Sequence, residues 1–560
     1  METKLKGNIY FNNKKYTNLY LNKQVYYIQN YIKYKLKLFQ KNECIAIYMN
    51  RDPKLLSIMF SLFELKICFL IIDDSMPSGR IQYMLNNSNI RYIITDKFLS
   101  KEAYEAYNII SISDILKSKF KSIDKEIVFN SELAYQIYTS GSTGNPKAIE
   151  IYRYSLLNFF TSISKKLNIV NGKRILCSTE TSFDIFLLES LHAMIYGQDI
   201  VLATNEEIKN PWKLMQLIMN NKIDYIQMTP SRIRQLQMID KEFKFLKNVK
   251  SIFIGGENFP LYLLDELKKY TTCEIYNLYG PSEATIWVTH ANLTKENKVS
   301  VGKPIDNVEI VIVNNQHSII KNGNIGEIVI LGNALAKGYK NNIELTNKKF
   351  INNFLDNKRA YFTGDKGKID KKGNLVILGR LDNQIKLFGH RIELDEIDYI
   401  ISNLGMTDSC ISTIFKEKII TFYISHNQVN IDLLLRKLKE QLPIYMIPSD
   451  FVKVDHFEYT FNNKIDIKSM CNKYQKSKNN KYSVKNEVIE LILNHVNNIE
   501  INGNTKISDM RINSLTLVKI IVSLEQKYNI EFSDNYFEDI DKKCINDILD
   551  YLKEKGVGND

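Results

Sequence analysis

Between Thr139 and Lys147 the chain reads Thr-Ser-Gly-Ser-Thr-Gly-Asn-Pro-Lys, a stretch whose residues either present hydrogen-bond donors or free the backbone to do so. Gly141 and Gly144 let backbone N–H groups converge on an anion, Ser140, Ser142 and Thr143 add hydroxyls, and Lys147 adds a point charge. Binding of a phosphate chain is the chemistry this composition suits. A Walker loop would need its lysine to open a helix. Here Asn-Pro precedes Lys147, and the apolar alternation resuming at Ile149 and Ile151 predicts a strand. An ordinary Ser/Gly-rich hairpin loop has the same composition, so the stretch carries weight only in company.

Further segments supply that company. The apolar run Ile275 to Leu278 leads into Tyr279-Gly-Pro-Ser-Glu283, followed by Tyr361-Phe-Thr-Gly-Asp365 and then by Gly379-Arg380-Leu-Asp382-Asn-Gln-Ile-Lys386-Leu-Phe-Gly-His-Arg-Ile-Glu-Leu394. Leu442-Pro-Ile-Tyr-Met-Ile-Pro448 and Asn462-Asn-Lys464-Ile-Asp466 complete the series. Singly, Asp365 reads as a turn residue, Arg380 as a surface cation and Tyr279 as core. As an ordered set, from about residue 10 to 470, they resemble the adenylate-forming superfamily, in particular the adenylation domains of non-ribosomal peptide synthetases. Asp509-Met-Arg-Ile-Asn-Ser514-Leu-Thr-Leu resembles the attachment site of a peptidyl carrier (thiolation) domain.

The resemblance implies an enzyme that joins a carboxylate to ATP as an acyl adenylate, then passes the acyl group to a thiol. Two anions must meet in the first step, so positioned positive charge is required. By resemblance, Thr139 to Lys147 hold the β- and γ-phosphates, Glu283 binds Mg²⁺, Ser282 lies beside the α-phosphate, Asn277 and Tyr279 recognise adenine, and Asp365 and Arg380 contact the ribose. Lys464 is the expected catalytic residue of adenylation. Asp382 is the expected hinge about which a small domain turns, exchanging Lys464 for a second face with Lys386 and Gly389. Ser514 is the expected site of covalent 4′-phosphopantetheine, whose arm brings the thiol to the adenylate.

The segment Phe183-Asp184-Ile-Phe-Leu-Leu-Glu189 resembles the one in which the family places an aspartate against the substrate amine; by itself Asp184 reads equally as a helix cap. Carrying the pocket across gives Asp184, Ile185, Leu188, Gln227, Phe253, Gly255, Leu278, Ile286, Trp287 and Lys464. This set resembles the glycine-type pattern, with Phe253 in place of the usual leucine. Bulky Trp287, Leu188 and Phe253 would fill the space of a substrate side chain, which favours a small acid. Alanine, serine, D-alanine and a non-amino acid remain alternatives, as does a catalytically inactive scaffold. The chain also departs from the family pattern: Ala148 replaces the glycine after Pro-Lys, Asn463 the glycine before Lys464 and Ile377 a frequent aromatic, while Arg-Ile-Asn precedes Ser514.

These residues need an extended frame. The 560 residues are 44% hydrophobic and 25% charged, the balance of a folding globular chain with room for several domains. Short apolar runs alternating with helix-period segments predict an α/β architecture: a large layered domain over 1–381, a small mobile α/β domain over 382–470, a polar linker over 471–482, and a four-helix carrier bundle over 483–560. The net charge of +12 is spread along the chain without a basic arm, which argues against nucleic acid. Seven scattered cysteines without a CxxC pair argue against a disulfide framework or zinc site, and no segment approaches the ~20 apolar residues of a membrane span. The expected setting is cytoplasmic. Implied partners are an amino-acid substrate, a phosphopantetheinyl transferase, and a downstream condensing or tailoring enzyme that docks on the carrier; a small activator protein is left open.

Overall fold

A computed structural model describes residues 4–35, 43–99, 104–118, 129–141, 144–382, 384–387, 389–458, 465–478, 484–493, 495–496, 505–510, 512–533, 536 and 539–555. Its large unit is built on two mainly parallel sheets. In the first, seven described strands run in the order Gly338–Tyr339, Lys147–Tyr152, Leu133–Thr139, Cys68–Ile72, Cys44–Tyr48, Tyr92–Thr95 and Asn108–Ser111. The central members are apolar nearly throughout because both of their faces are covered. The second sheet has nine described strands, among them Arg174–Cys177, Tyr225–Met228, Ser251–Gly255 and Glu274–Tyr279 side by side and parallel. A third, antiparallel sheet contains Lys358–Ile369 paired with Leu375–Arg380, which places Asp365 opposite Arg380. Thr139, Gly256, Gly280 and Arg380, at or just beyond the C-terminal ends of their strands, line a common cavity. Helix starts are set locally: Asp52 accepts the Lys54 N–H at 2.8 Å ahead of the Pro53–Glu64 helix, whose first residue is proline.

Beyond Arg380 the hydrophobic clusters are separate. Ile385 to Tyr474 contribute to two clusters around the Gln384–Leu387 and His390–Glu393 hairpin, the Leu394–Asn403 and Ile431–Gln441 helices, and a three-stranded sheet of Ser409–Phe415, Lys418–Ile424 and Asp450–Lys453. Val488 to Leu552 form another, from the helices Val484–Leu493, Ser514–Tyr528 and Ile545–Glu554 with the 3₁₀ turns Ile507–Met510 and Ile540–Lys542.

The polar linker expected over 471–482 is corrected in its first part. A helix runs from Ile467 to Lys478. Met470 and Cys471 lie one turn before Tyr474, and all three pack into the small unit, where the Tyr474 hydroxyl donates to Asp450. A polar average concealed one apolar stripe; residues 479–483 fall outside the described ones.

Candidate active site

The phosphate-loop candidate closes a hairpin, because Leu133–Thr139 and Lys147–Tyr152 pair antiparallel with Thr139 opposite Lys147. Gly144 has φ +80°, a conformation that disfavours a side chain, and a Cβ there would meet the ring of Tyr399 at 2.1 Å. Ser142, Thr143 and Lys464 lie outside the described residues. The rest of the loop is engaged by the small unit: the Ser140 hydroxyl donates to the Arg391 carbonyl (2.8 Å), the Gly141 N–H to Glu396 Oε2 (2.9 Å), and Lys147 to Glu393 Oε1 (3.4 Å). Arg80 completes the cluster, donating to Glu396 at 2.9 Å with both side chains buried. Carboxylates thus meet the groups from which the sequence predicts phosphate binding.

A cavity of about 100 Å³ opens beside this loop and reaches Asp184, Ile185, Ser282, Ile286, Trp287, Asp365, Arg380, Lys386 and Arg391. Arg380 donates to Asp365 Oδ1 (2.5 Å) and to both oxygens of Asp382 (2.5 and 2.6 Å), so the predicted ribose pair is physically tied to the predicted hinge. The Tyr279 hydroxyl donates to Asp365 Oδ2 at 2.6 Å, and Asn277 donates to the Ser300 carbonyl at 2.9 Å. Both are buried in the Glu274–Tyr279 strand and neither lines the cavity.

Glu283 is the most strongly tuned carboxylate of the site. Burial pushes its pKa up, but the Arg391 guanidinium, donating to Oε1 (3.0 Å) and Oε2 (2.7 Å), and the Tyr339 hydroxyl, donating to Oε1 (2.8 Å), bring it down to about 2. It is therefore a buried carboxylate that stays ionised and already faces a cation. That donor fits Mg²⁺, which takes one or two carboxylates and completes its shell with phosphate oxygens and water. Among the described residues, no group of three or more His, Cys, Asp or Glu side chains is placed to hold a metal ion.

Asp184, which lines the cavity, is buried with Oδ2 lacking any hydrogen-bond partner. Burial raises its carboxyl pKa, opposed by the Ser282 hydroxyl and the Ile185 N–H. A buried carboxylate oxygen without a donor is costly, and an ammonium group is the partner that would offset the cost. Trp287 closes the space beyond. Its indole lies against Gly255, where a Cβ would stand 2.7 Å from the ring tip and 2.8 Å from the Leu278 carbonyl oxygen. Thr285 and Ile286 deliver it in left-handed conformation, at φ +57° and +68°, which is strained for β-branched residues. The Thr285 hydroxyl, donating to the Ala334 carbonyl at 2.7 Å, and the Val288 N–H, donating to the Tyr279 carbonyl at 2.8 Å, anchor the turn. Leu188, Gln227, Phe253, Gly255 and Leu278 are buried and do not line the cavity, and Phe253 packs between Tyr225 and Tyr276. Leu188 begins a one-turn π-helix, Leu188–His192, whose Glu189 accepts from the N–H groups of Ser178 and Thr179.

Of the two lysines expected to alternate, Lys464 lies outside the described residues, and Lys386 lines the cavity. Burial there lowers the pKa of its ammonium, while Asp365 opposes the shift. Gly389 donates its N–H to Glu257 Oε1 (2.5 Å), whose other oxygen accepts from the Ser231 N–H (2.9 Å) at the start of the Pro230–Ile239 helix. Ser514 is the half-buried first residue of the Ser514–Tyr528 helix, and the cap is Asn513, which accepts from Thr516 N–H at 2.7 Å. Sequence reasoning gave no role to Arg391, Glu393, Glu396, Tyr339 or Arg80. The first two stand inside a quoted motif, and their alternation of charge was the available signal.

Comparison with known proteins gives concordant matches. The family model described as AMP-binding enzyme matches residues 6–340, and that described as phosphopantetheine attachment site matches residues 487–552. A dimodular nonribosomal peptide synthase of Bacillus subtilis (strain 168) is 31% identical over 442 residues, covering 76% of this chain but 18% of that protein. The chain thus spans under a fifth of that relative's length. Zwittermicin A synthase ZmaJ of Bacillus cereus is 30% identical over 445 residues, covering 76% of this chain and 85% of ZmaJ. Among solved structures, holo-PA1221, an NRPS protein containing adenylation and PCP domains bound to a vinylsulfonamide inhibitor, aligns with a TM-score of 0.80 at 20% identity over 98% of this chain and 94% of that one. The Vibrio cholerae adenylation domain AlmE, in complex with glycyl-adenosine-5′-phosphate, aligns at 0.72 and 20% identity over 85% of this chain and 95% of that one.

Proposed function

Because the chain belongs to the AMP-binding enzyme family, as an adenylation domain joined to a peptidyl carrier domain, we propose that it activates a small amino acid, glycine, as the acyl adenylate and loads it onto its own carrier. The observation that carries the substrate is the buried, unpartnered Asp184 oxygen in a cavity that Trp287 also lines. Asp184 pairs with the α-ammonium, and the indole occupies the volume a longer side chain would need. The glycyl adenylate held by AlmE supports the same reading.

Within that reaction Asp365 and Arg380 hold the ribose, the loop from Thr139 to Lys147 holds the phosphate chain, and Lys464 bridges the carboxylate and the α-phosphate as charge moves between them. Glu283 is the carboxylate that would hold magnesium, Ser514 the serine that would carry phosphopantetheine, and when bound these supply charge compensation and the acceptor thiol, respectively. A transferase that modifies Ser514 and an enzyme that collects the loaded acyl group are the partners this scheme requires. No described helix is long and apolar enough to cross a membrane.

Intact-mass measurement of the phosphopantetheinylated protein with Mg·ATP and mixed amino acids tests the proposal. A glycyl increment is expected; a different aminoacyl increment overturns the substrate, and no increment on verified holo-protein overturns the activity.

The site makes two further predictions. A folded-state pKa raised by burial means that ionised Asp184 opposes folding at every pH above that value, so Asp184→Asn is expected to raise the melting temperature at neutral pH while suppressing adenylation. A melting temperature below that of wild type counts against the uncompensated carboxylate. Trp287→Leu is expected to raise the kcat/KM of alanine relative to glycine by about tenfold or more, since one methylene is worth roughly 1–3 kcal/mol in a pocket. Unchanged relative preference in pyrophosphate exchange would exclude Trp287 as the filter.

A further inference from the structure

The strands Ser409–Phe415 and Lys418–Ile424 are joined by a turn of two residues, Lys416 and Glu417, since Phe415 pairs directly with Lys418. Both turn residues are left-handed, at φ +50° and +60°. Such turns are filled without steric penalty by Asn-Gly or Gly-Gly, and Lys-Glu adopts the same shape against the resistance of two Cβ atoms. Strain held at a surface turn calls for a compensating contact.

The contact is made by Glu417. Its Oε1 accepts from Arg234 Nη2 at 3.0 Å, and its Oε2 from Lys519 Nζ at 2.5 Å. Arg234 belongs to the Pro230–Ile239 helix of the large unit, and Lys519 to the carrier helix that starts at Ser514. Those two helices pack on each other. One carboxylate of the small unit therefore stands between a cation of the large unit and a cation of the carrier, with all three side chains roughly two-thirds or more withdrawn from water. Burial raises the Glu417 pKa, but Lys519 and Arg234 overcome it and hold the carboxyl below its ordinary range. Without the negative charge, Arg234 and Lys519 would face each other as like charges, so the carboxylate turns repulsion between two packed helices into attraction.

We propose that Glu417 is a positioning residue for acyl transfer, whose carboxylate joins the carrier helix to the large unit while the Lys386 face of the small unit lines the cavity. The strained turn aims the carboxylate between the two cations. The inference rests on the function proposed above, and the test separates the two. In the full holo-protein, Glu417→Gln keeps the side-chain shape and removes the charge, whereas Glu417→Gly also relaxes the turn. Both are expected to leave amino-acid-dependent pyrophosphate exchange and transfer to free pantetheine within about twofold of wild type, and to slow loading of the carrier by roughly tenfold, the ratio equivalent to 1.4 kcal/mol. Glu417→Lys combined with Arg234→Glu and Lys519→Glu is expected to restore loading. Energy transfer between dyes on the large unit and the carrier reads docking independently of activity, and the docked fraction is expected to fall both in Glu417→Gln and in wild type at high salt. Carrier loading within about twofold of wild type in both variants, an equal loss of transfer to free pantetheine, or an unchanged docked fraction would overturn the proposal.

Discussion

Replacing Ser514 with alanine is expected to remove the loaded species altogether while pyrophosphate exchange stays within about twofold of wild type. The contrast follows from where the hydroxyl stands. A serine opening a helix is commonly its cap, and loss of a cap costs about 1 kcal/mol, which would confuse a chemical defect with a folding one. Here Asn513 provides the cap, accepting from the Thr516 N–H at 2.7 Å and the Thr516 hydroxyl at 2.8 Å. The helix beyond is held by Ile520, Ile521 and Leu524 in the carrier core. Alanine at 514 thus removes an attachment atom and little else. Intact mass after treatment with a phosphopantetheinyl transferase gives the readout, and loading that persists in the variant would assign the carrier site elsewhere.

The second large effect is a double dissociation between two lysines. Lys464→Ala is expected to lower adenylation by about 10²–10³-fold, the range for removing one preorganised donor from a developing charge, and to spare transfer from a supplied adenylate. Lys386→Ala is expected to do the reverse, because Lys386 is the lysine that lines the cavity in the pose where the carrier helix touches the large unit. Single-turnover measurements of each half-reaction separate the two. An equal loss of both steps in either variant would show that the small unit does not divide its labour between two faces.

Much of this was legible in the sequence because it is local. Gly141, Gly144 and the paired strands around them declare a hairpin loop, and apolar runs such as Cys44 to Met49 declare buried parallel strands. Asp184 was legible as a residue but not as an unpartnered one, since burial and partners arise from distant chain. The turn at Thr285 and Ile286 could not be read, because β-branched residues suggest extended backbone and only the surrounding bonds hold them at positive φ. The pose of the small unit was equally hidden: under the proposed hinge, a rotation about Asp382 would leave the sequence unchanged while exchanging which lysine faces the cavity. Glu417 lies 102 residues from Lys519, beyond the reach of any periodicity.

The carboxylates that meet the Ser140 to Lys147 loop carry a consequence for the order of events. While Glu396 accepts from Gly141 and Glu393 accepts from Lys147, a polyphosphate cannot use those same donors. Under the phosphate-binding role proposed for this loop, occupancy acts as a queue with one place in it: the next nucleotide would enter only after the small unit withdraws, and an intruding pyrophosphate would first have to displace two covalently tethered rivals whose local concentration never dilutes. Raising the level of either anion should accordingly lengthen the wait before handover without changing how fast the handover itself proceeds.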